Sequence, residues 1–171
     1  VEFSLIDASY TSETLPITIN SNPFASATNT LTIKPATGNV SIQGTGTAIF
    51  ALFAADYVII EGSANPVTNS ICPLVRSTRN LTIQNNNSAS TNNCVIFLAS
   101  NNALFDGATN NKIVNCNIVG GATTLPWVFT NTGIGFGAGP VATGFGSGTG
   151  SLGYNNSNNI VENNAISKVA Y

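Results

Sequence analysis

The sequence predicts an all-β chain wound into a parallel solenoid of about six coils. Three observations carry that prediction: short runs of β-branched residues divided by turn residues, a polar surface built from amides and hydroxyls instead of charges, and one strand signature recurring in register at variable spacing.

The strand signals, in chain order, are EFSLI (2–6), PITIN (16–20), TLTIK (30–34), NVSIQG (39–44), AIFALF (48–53), YVIIEG (57–62), ICPLV (71–75), NLTIQN (80–85), CVIFLA (94–99), NKIVNCNIV (111–119), WVFTN (127–131) and NIVENNAI (159–166). Val, Ile, Leu, Thr and Phe suit a pleated, half-buried surface, and Gly, Asn, Pro and Ser turns separate the runs. No window of about ten residues keeps an apolar period of about 3.6, so no helix is expected.

Six segments fall into register on an aliphatic residue that precedes, in five of the six, a polar residue (Val114 follows Ile113) and then a small or amide residue. The aligned positions are Ile19, Ile42, Ile60, Ile83, Ile113 and Val161, separated by 23, 18, 23, 30 and 48 residues. Two residues later stand Ser21, Gly44, Gly62, Asn85, Asn115 and Asn163, types that tolerate left-handed backbone or bond a neighbouring chain. Stacked coils produce this pattern, because insertions bulge at corners while strands keep their place. AIFALF, ICPLV, CVIFLA and WVFTN form a second strand column. The alignment puts Asn85, Asn115 and Asn163 in one structural ladder of stacked amides. It also makes residues 132–156, which contain GIGFGAGPVATGFGSGTGSLG, a Gly-rich excursion from the solenoid.

Composition narrows the function. At 171 residues and 43% hydrophobic content the chain can bury one core, yet only 7% of it is charged, against about 25% in typical domains. Its 25 asparagines supply polarity instead. The five Lys/Arg are scattered, which argues against a nucleic-acid partner. No run of about 18 apolar residues exists to span a membrane as a helix. Histidine is absent, which excludes His-based triads and His metal ligands. Cys72, Cys94 and Cys116 are evenly spaced but lack a CxxC or Cys/His pattern, and they are expected as buried free thiols. No metal site and no cofactor is expected. Residues 1–171 read as a single β-helix segment of a longer chain, since they open without an initiator Met or a signal segment and close on a strand-like NAISKVAY.

The acids do not gather. Glu61 and Glu162 share an outward column with Gln43 and Gln84, but the alignment sets them three coils apart, about 14 Å. Paired glycosidic carboxylates need roughly 5–9.5 Å, so no catalytic residue is assigned. Asp56, in AADYV, reads as a corner residue. Binding remains open to Gln43, Glu61, Gln84, Glu162 and Trp127: amides and carboxylates bond sugar hydroxyls, and Tyr57, Trp127 or Tyr154 stack on a pyranose ring. An ice-binding face is disfavoured, because the column Thr18, Ser41, Ile59, Thr82, Lys112 and Ile160 mixes a charge with bulky aliphatics.

The stretches LPITINSNPFASATNTLTIKPATGNVSIQG, ADYVIIEGS, RNLTIQNNNSASTNNCVIFLAS and GATNNKIVNCNIVGG resemble the repeat-rich right-handed β-helix regions of large secreted proteins of Bacteroidetes-type bacteria. The resemblance implies a right-handed, pectin-lyase-like coil, export by type IX secretion and an extracellular or cell-surface location. It further implies an adhesin-like structural role, with polysaccharide lyase- or hydrolase-like relatives as the alternative. The partners it implies are neighbouring coils of the same chain, another copy stacked end to end, and cell-surface glycans.

Overall fold

Alternating burial builds the strands. Val40, Ile42, Leu81, Ile83, Cys116 and Ile118 are buried while Ser41, Thr82 and Asn117 between them are half-exposed, the two-residue period of a pleated chain with one face on a core. The structure, a computed structural model, describes residues 1–66, 78–88, 92–121, 130, 132–139 and 153–170. Within these it is all-β, with β1 (Glu2–Leu5), β2 (Ser9–Tyr10), β3 (Ile17–Asn20), β4 (Leu31–Pro35), β5 (Val40–Gly44), β6 (Phe50–Phe53) and β7 (Val58–Glu61). There follow β8 (Leu81–Asn85), β9 (Cys94–Ser100), β10 (Lys112–Val114), β11 (Cys116–Gly120), β12 (Thr132–Ala138), β13 (Ile160–Glu162) and β14 (Ala165–Ser167).

Strand n pairs in parallel with strand n+3 throughout. The first sheet runs β1-β4-β7-β10-β13, the second β2-β5-β8-β11-β14 and the third β3-β6-β9-β12. In-register parallel pairing sets each side chain on its counterpart about 4.8 Å away. Phe3, Ile33, Ile60, Ile113 and Val161 form one such row. Tyr10, Ile42, Ile83, Ile118 and Ile166 form another, and Ile17, Phe50, Ile96 and Ile134 a third. The three rows meet in one continuous apolar core. The last strands lack a neighbour on one side, so Phe3, Val161 and Ile166 are 59%, 45% and 48% exposed.

This register corrects the single-column alignment. Ile60, Ile113 and Val161 do stack, but Ile42 and Ile83 belong to the second sheet and Ile19 to the third. All three sheets carry the same apolar-polar alternation, and that shared alternation is what aligned them. Part of the Gly-rich excursion is also strand: β12 pairs with β9 from Thr132 to Ala138. Glycine is depleted in strands, which disguised it. Here Gly133 has a packing reason, since a Cβ would fall 2.7 Å from Ile166 Cγ2. Residues 140–152 of that stretch, with Cys72 and Trp127, lie outside the described residues.

Ile113→Ala should remove a fully buried rung and lower stability by about 2–5 kcal/mol in urea denaturation. Ile160→Ala, on the exposed face of β13, should change it by less than about 0.5 kcal/mol.

Candidate functional site

The corners of the first sheet concentrate the polar chemistry. Tyr57, Asn110 and Asn158 stand at equivalent positions just before β7, β10 and β13, with φ of 56°, 57° and 57°. After β10 and β13, Asn115 and Asn163 have φ of 60° and 51°. Left-handed backbone turns the chain sharply and suits Asn among non-glycine residues. Gly62 holds the place of Asn115 one strand earlier, where an added Cβ would come 1.9 Å from the Asn115 carbonyl oxygen.

A turned chain leaves backbone groups off the ladder, and asparagine side chains recover them. The Val58 N–H donates to Asn111 Oδ1 at 2.8 Å, while Asn111 Nδ2 donates to the Ala55 carbonyl at 2.8 Å. One strand further, the Asn111 N–H donates to Asn159 Oδ1 at 2.9 Å and Asn159 Nδ2 to the Ala108 carbonyl at 2.9 Å. Asn164 repeats the arrangement at the opposite corner, taking the Cys116 N–H and giving to the Ile113 carbonyl. In each case one amide bridges the N–H of its counterpart in the neighbouring strand and the carbonyl three residues before it. The doublets in TNNK, SNNI and ENNA were the visible signal for these clamps.

Glu61 is buried at 9% exposure and anchors a second chain of bonds. Its Oε1 accepts the Ser63 N–H at 2.7 Å and Asn115 Nδ2 at 2.7 Å. Asn163 Nδ2 donates to Asn115 Oδ1 at 2.6 Å, and Arg79 donates to Asn163 Oδ1 at 2.8 Å and to its carbonyl at 2.7 Å. A carboxylate at one end and a guanidinium at the other polarise the two amides between them. Asn115 and Asn163 are thus in line and bonded. Asn85 is not with them: it closes β8 in the second sheet, opposite Gly44 and Gly120, where its amide bonds the Gly46 and Cys94 carbonyls.

The outward column of amides and carboxylates likewise divides. Gln43 and Gln84 are partners in the second sheet, whereas Glu61 and Glu162 flank Val114 in the first, two strand spacings or about 9.6 Å apart. That is nearer than the alignment placed them. Glu61 is held in the corner by two donors, the Ser63 N–H and Asn115 Nδ2. Asp56 Oδ1 accepts the Thr109 N–H and hydroxyl at 2.8 and 2.6 Å, a corner role. A cavity of about 170 Å³ beside Val1, Ile19, Asn20 and Asp56 is well below the roughly 300–1,000 Å³ of small-molecule sites.

Cys94 and Cys116 are buried free thiols. Cys116 stacks on Leu81 as a small apolar residue. Burial pushes the Cys94 thiol from 9.0 up to about 12. Burial, and then the charge of Glu61, raises Cys116 as well.

Aromatic chemistry appears at another corner. Phe105, in the loop after β9, meets Tyr154, in the loop before β13, with ring centroids 5.2 Å apart and planes inclined at 59°. Tyr154 carried a sequence signal as a possible sugar platform, but nothing in NNALFDG pointed to Phe105. No protein-family model, no curated protein and no solved structure matches the chain.

Asn111→Ala should cost about 1–3 kcal/mol for each backbone group it strands, read as a lower urea midpoint. The thiols give a pH dependence of definite sign. A folded pKa above the unfolded value favours the folded state while the thiol is protonated, so this contribution is complete at neutral pH and is lost as pH rises from 9.0 towards about 12. The urea midpoint should fall above pH 9.0, and Cys94→Ala should lessen the fall.

Proposed function

We propose that the chain is a right-handed parallel β-helix segment serving as an extracellular, adhesin-like structural module without catalytic residues of its own. Among the described residues, fourteen strands taken three to a coil give four coils and two strands of a fifth, against about six in the alignment. Right-handedness rests on the near-universal hand of crossovers between parallel strands of one sheet. The secreted or cell-surface location rests on the resemblance to Bacteroidetes-type β-helix regions.

The observation that carries the reading is where the chemically capable side chains are spent. Glu61, Asp56, Arg79 and the corner asparagines are engaged in bonds that fasten one strand layer to the next. Such a body transmits force and holds a surface at a fixed distance. Its exposed end rows are covered by neighbouring coils or by another copy stacked end to end. A second reading, in which the β-helix also binds carbohydrate, is favoured by the exposed Phe105–Tyr154 pair.

The test is incubation of the chain with pectate, alginate, xylan and β-glucan, with release of reducing or unsaturated ends as the readout. No release above a heat-denatured control is expected. Cleavage abolished by Glu61→Gln or Glu162→Gln would contradict the proposal.

A further inference from the structure

We propose that Phe105 and Tyr154 form a stacking platform for a neutral, pyranose-containing oligosaccharide. The inference deepens the adhesin-like reading by giving it a ligand class, and it rests on that reading only for the rigid frame beneath the site.

The platform is built into two neighbouring corners. The loop from Asn101 to Asp106 is closed by paired backbone bonds, Asn101 N–H to the Asp106 carbonyl at 2.7 Å and Asp106 N–H to the Asn101 carbonyl at 3.1 Å. Just before the loop closes at Asp106, Phe105 has φ of 55°, a region that bulky side chains rarely adopt. That conformation holds the ring out from the body at 68% exposure. Tyr154, 47% exposed, is fixed from behind by its N–H donating to Ser100 Oγ at 2.7 Å. Gly107 lets the second loop approach, since a Cβ there would lie 2.3 Å from the Tyr154 carbonyl oxygen. Two exposed rings thus meet at a fixed angle on backbone that is already ordered, which lowers the entropy cost of binding.

The surroundings select the ligand. Asn101, Asn102 and Asn155 belong to the same two loops, and among the described residues none of their Nδ2 groups donates a hydrogen bond, while Asp106 in the first loop carries a carboxylate. Neither 101–107 nor 153–158 contains Lys or Arg, which an anionic membrane surface would require. Two rings are also far short of the roughly 800 Å² per partner of a stable protein interface. A sugar ring fits both features: its C–H face packs on an aromatic ring, whose negative face attracts polarised hydrogens, and its hydroxyls meet the amide fringe.

The experiment is a glycan array probed with the whole chain, followed by calorimetry with the strongest neutral oligosaccharide. Phe105→Ala and Tyr154→Ala should each weaken binding by about ten-fold. Phe24→Ala, which removes a more exposed ring that pairs with no other ring among the described residues, should leave it unchanged. Phe105→Gly should weaken binding by about as much as Phe105→Ala while keeping or raising the unfolding midpoint, because glycine accepts the left-handed backbone. Absence of any neutral glycan ligand, binding retained by the Phe105→Ala/Tyr154→Ala double variant, or a lowered midpoint in Phe105→Gly would overturn the site. None of these outcomes bears on polysaccharide cleavage, so the non-catalytic reading stands or falls separately.

Discussion

In-register parallel pairing of strand n with strand n+3 is the constraint on which the rest depends. It sets each residue on its counterpart about 4.8 Å away, so every layer must repeat the character of the layer beneath. Aliphatics then stand on aliphatics, and the rows through Ile60 and Ile83 merge into one core. An internal polar residue is tolerated only where the adjoining layer offers it a partner. Asn111 meets that condition: it is fully buried and both ends of its amide are bonded.

The same constraint explains the corners. A chain that turns between sheets must leave the ladder for a residue or two, and the groups it frees are buried beneath the next layer. Left-handed Asn110, Asn115, Asn158 and Asn163 make the turn, while Asn111, Asn159 and Asn164 bond the freed groups. Glu61 and Arg79 belong to this system, because the amides of Asn115 and Asn163 join them into one polarised chain. A low charge content follows: in a stacked body a charge repeated in every layer would face its own kind, whereas an amide donates upward and accepts from below.

Much of this was legible in the sequence and some was hidden for physical reasons. β-Branched residues near turn asparagines announced parallel stacked strands, and Ile113 buried beside a corner Asn115 follows from that signature alone. Sheet membership was not legible, because a period of two looks the same on any side of a coil. Ile42, Ile60 and Ile83 were therefore merged although they occupy two sheets. β12 was hidden by its glycines, of which Gly133 answers to the approach of Ile166. Of the candidate site, the bonded pair Asn115 and Asn163 was accessible to alignment. Phe105 was not, since its importance lies in a left-handed backbone and in a contact with a residue 49 positions away.

The three-sheet register is most directly tested by engineered disulfides on the outer faces. Ser41 and Thr82 are direct partners in the second sheet, with Cα atoms about 4.8 Å apart, inside the roughly 4.4–6.8 Å that a disulfide requires. Ile59 belongs to the first sheet, although a single-column alignment makes it the neighbour of Thr82. Ser41→Cys/Thr82→Cys should therefore oxidise readily to an intramolecular cross-link seen by peptide mass spectrometry, and Ile59→Cys/Thr82→Cys should not. Cross-linking of the second pair but not the first would contradict the account.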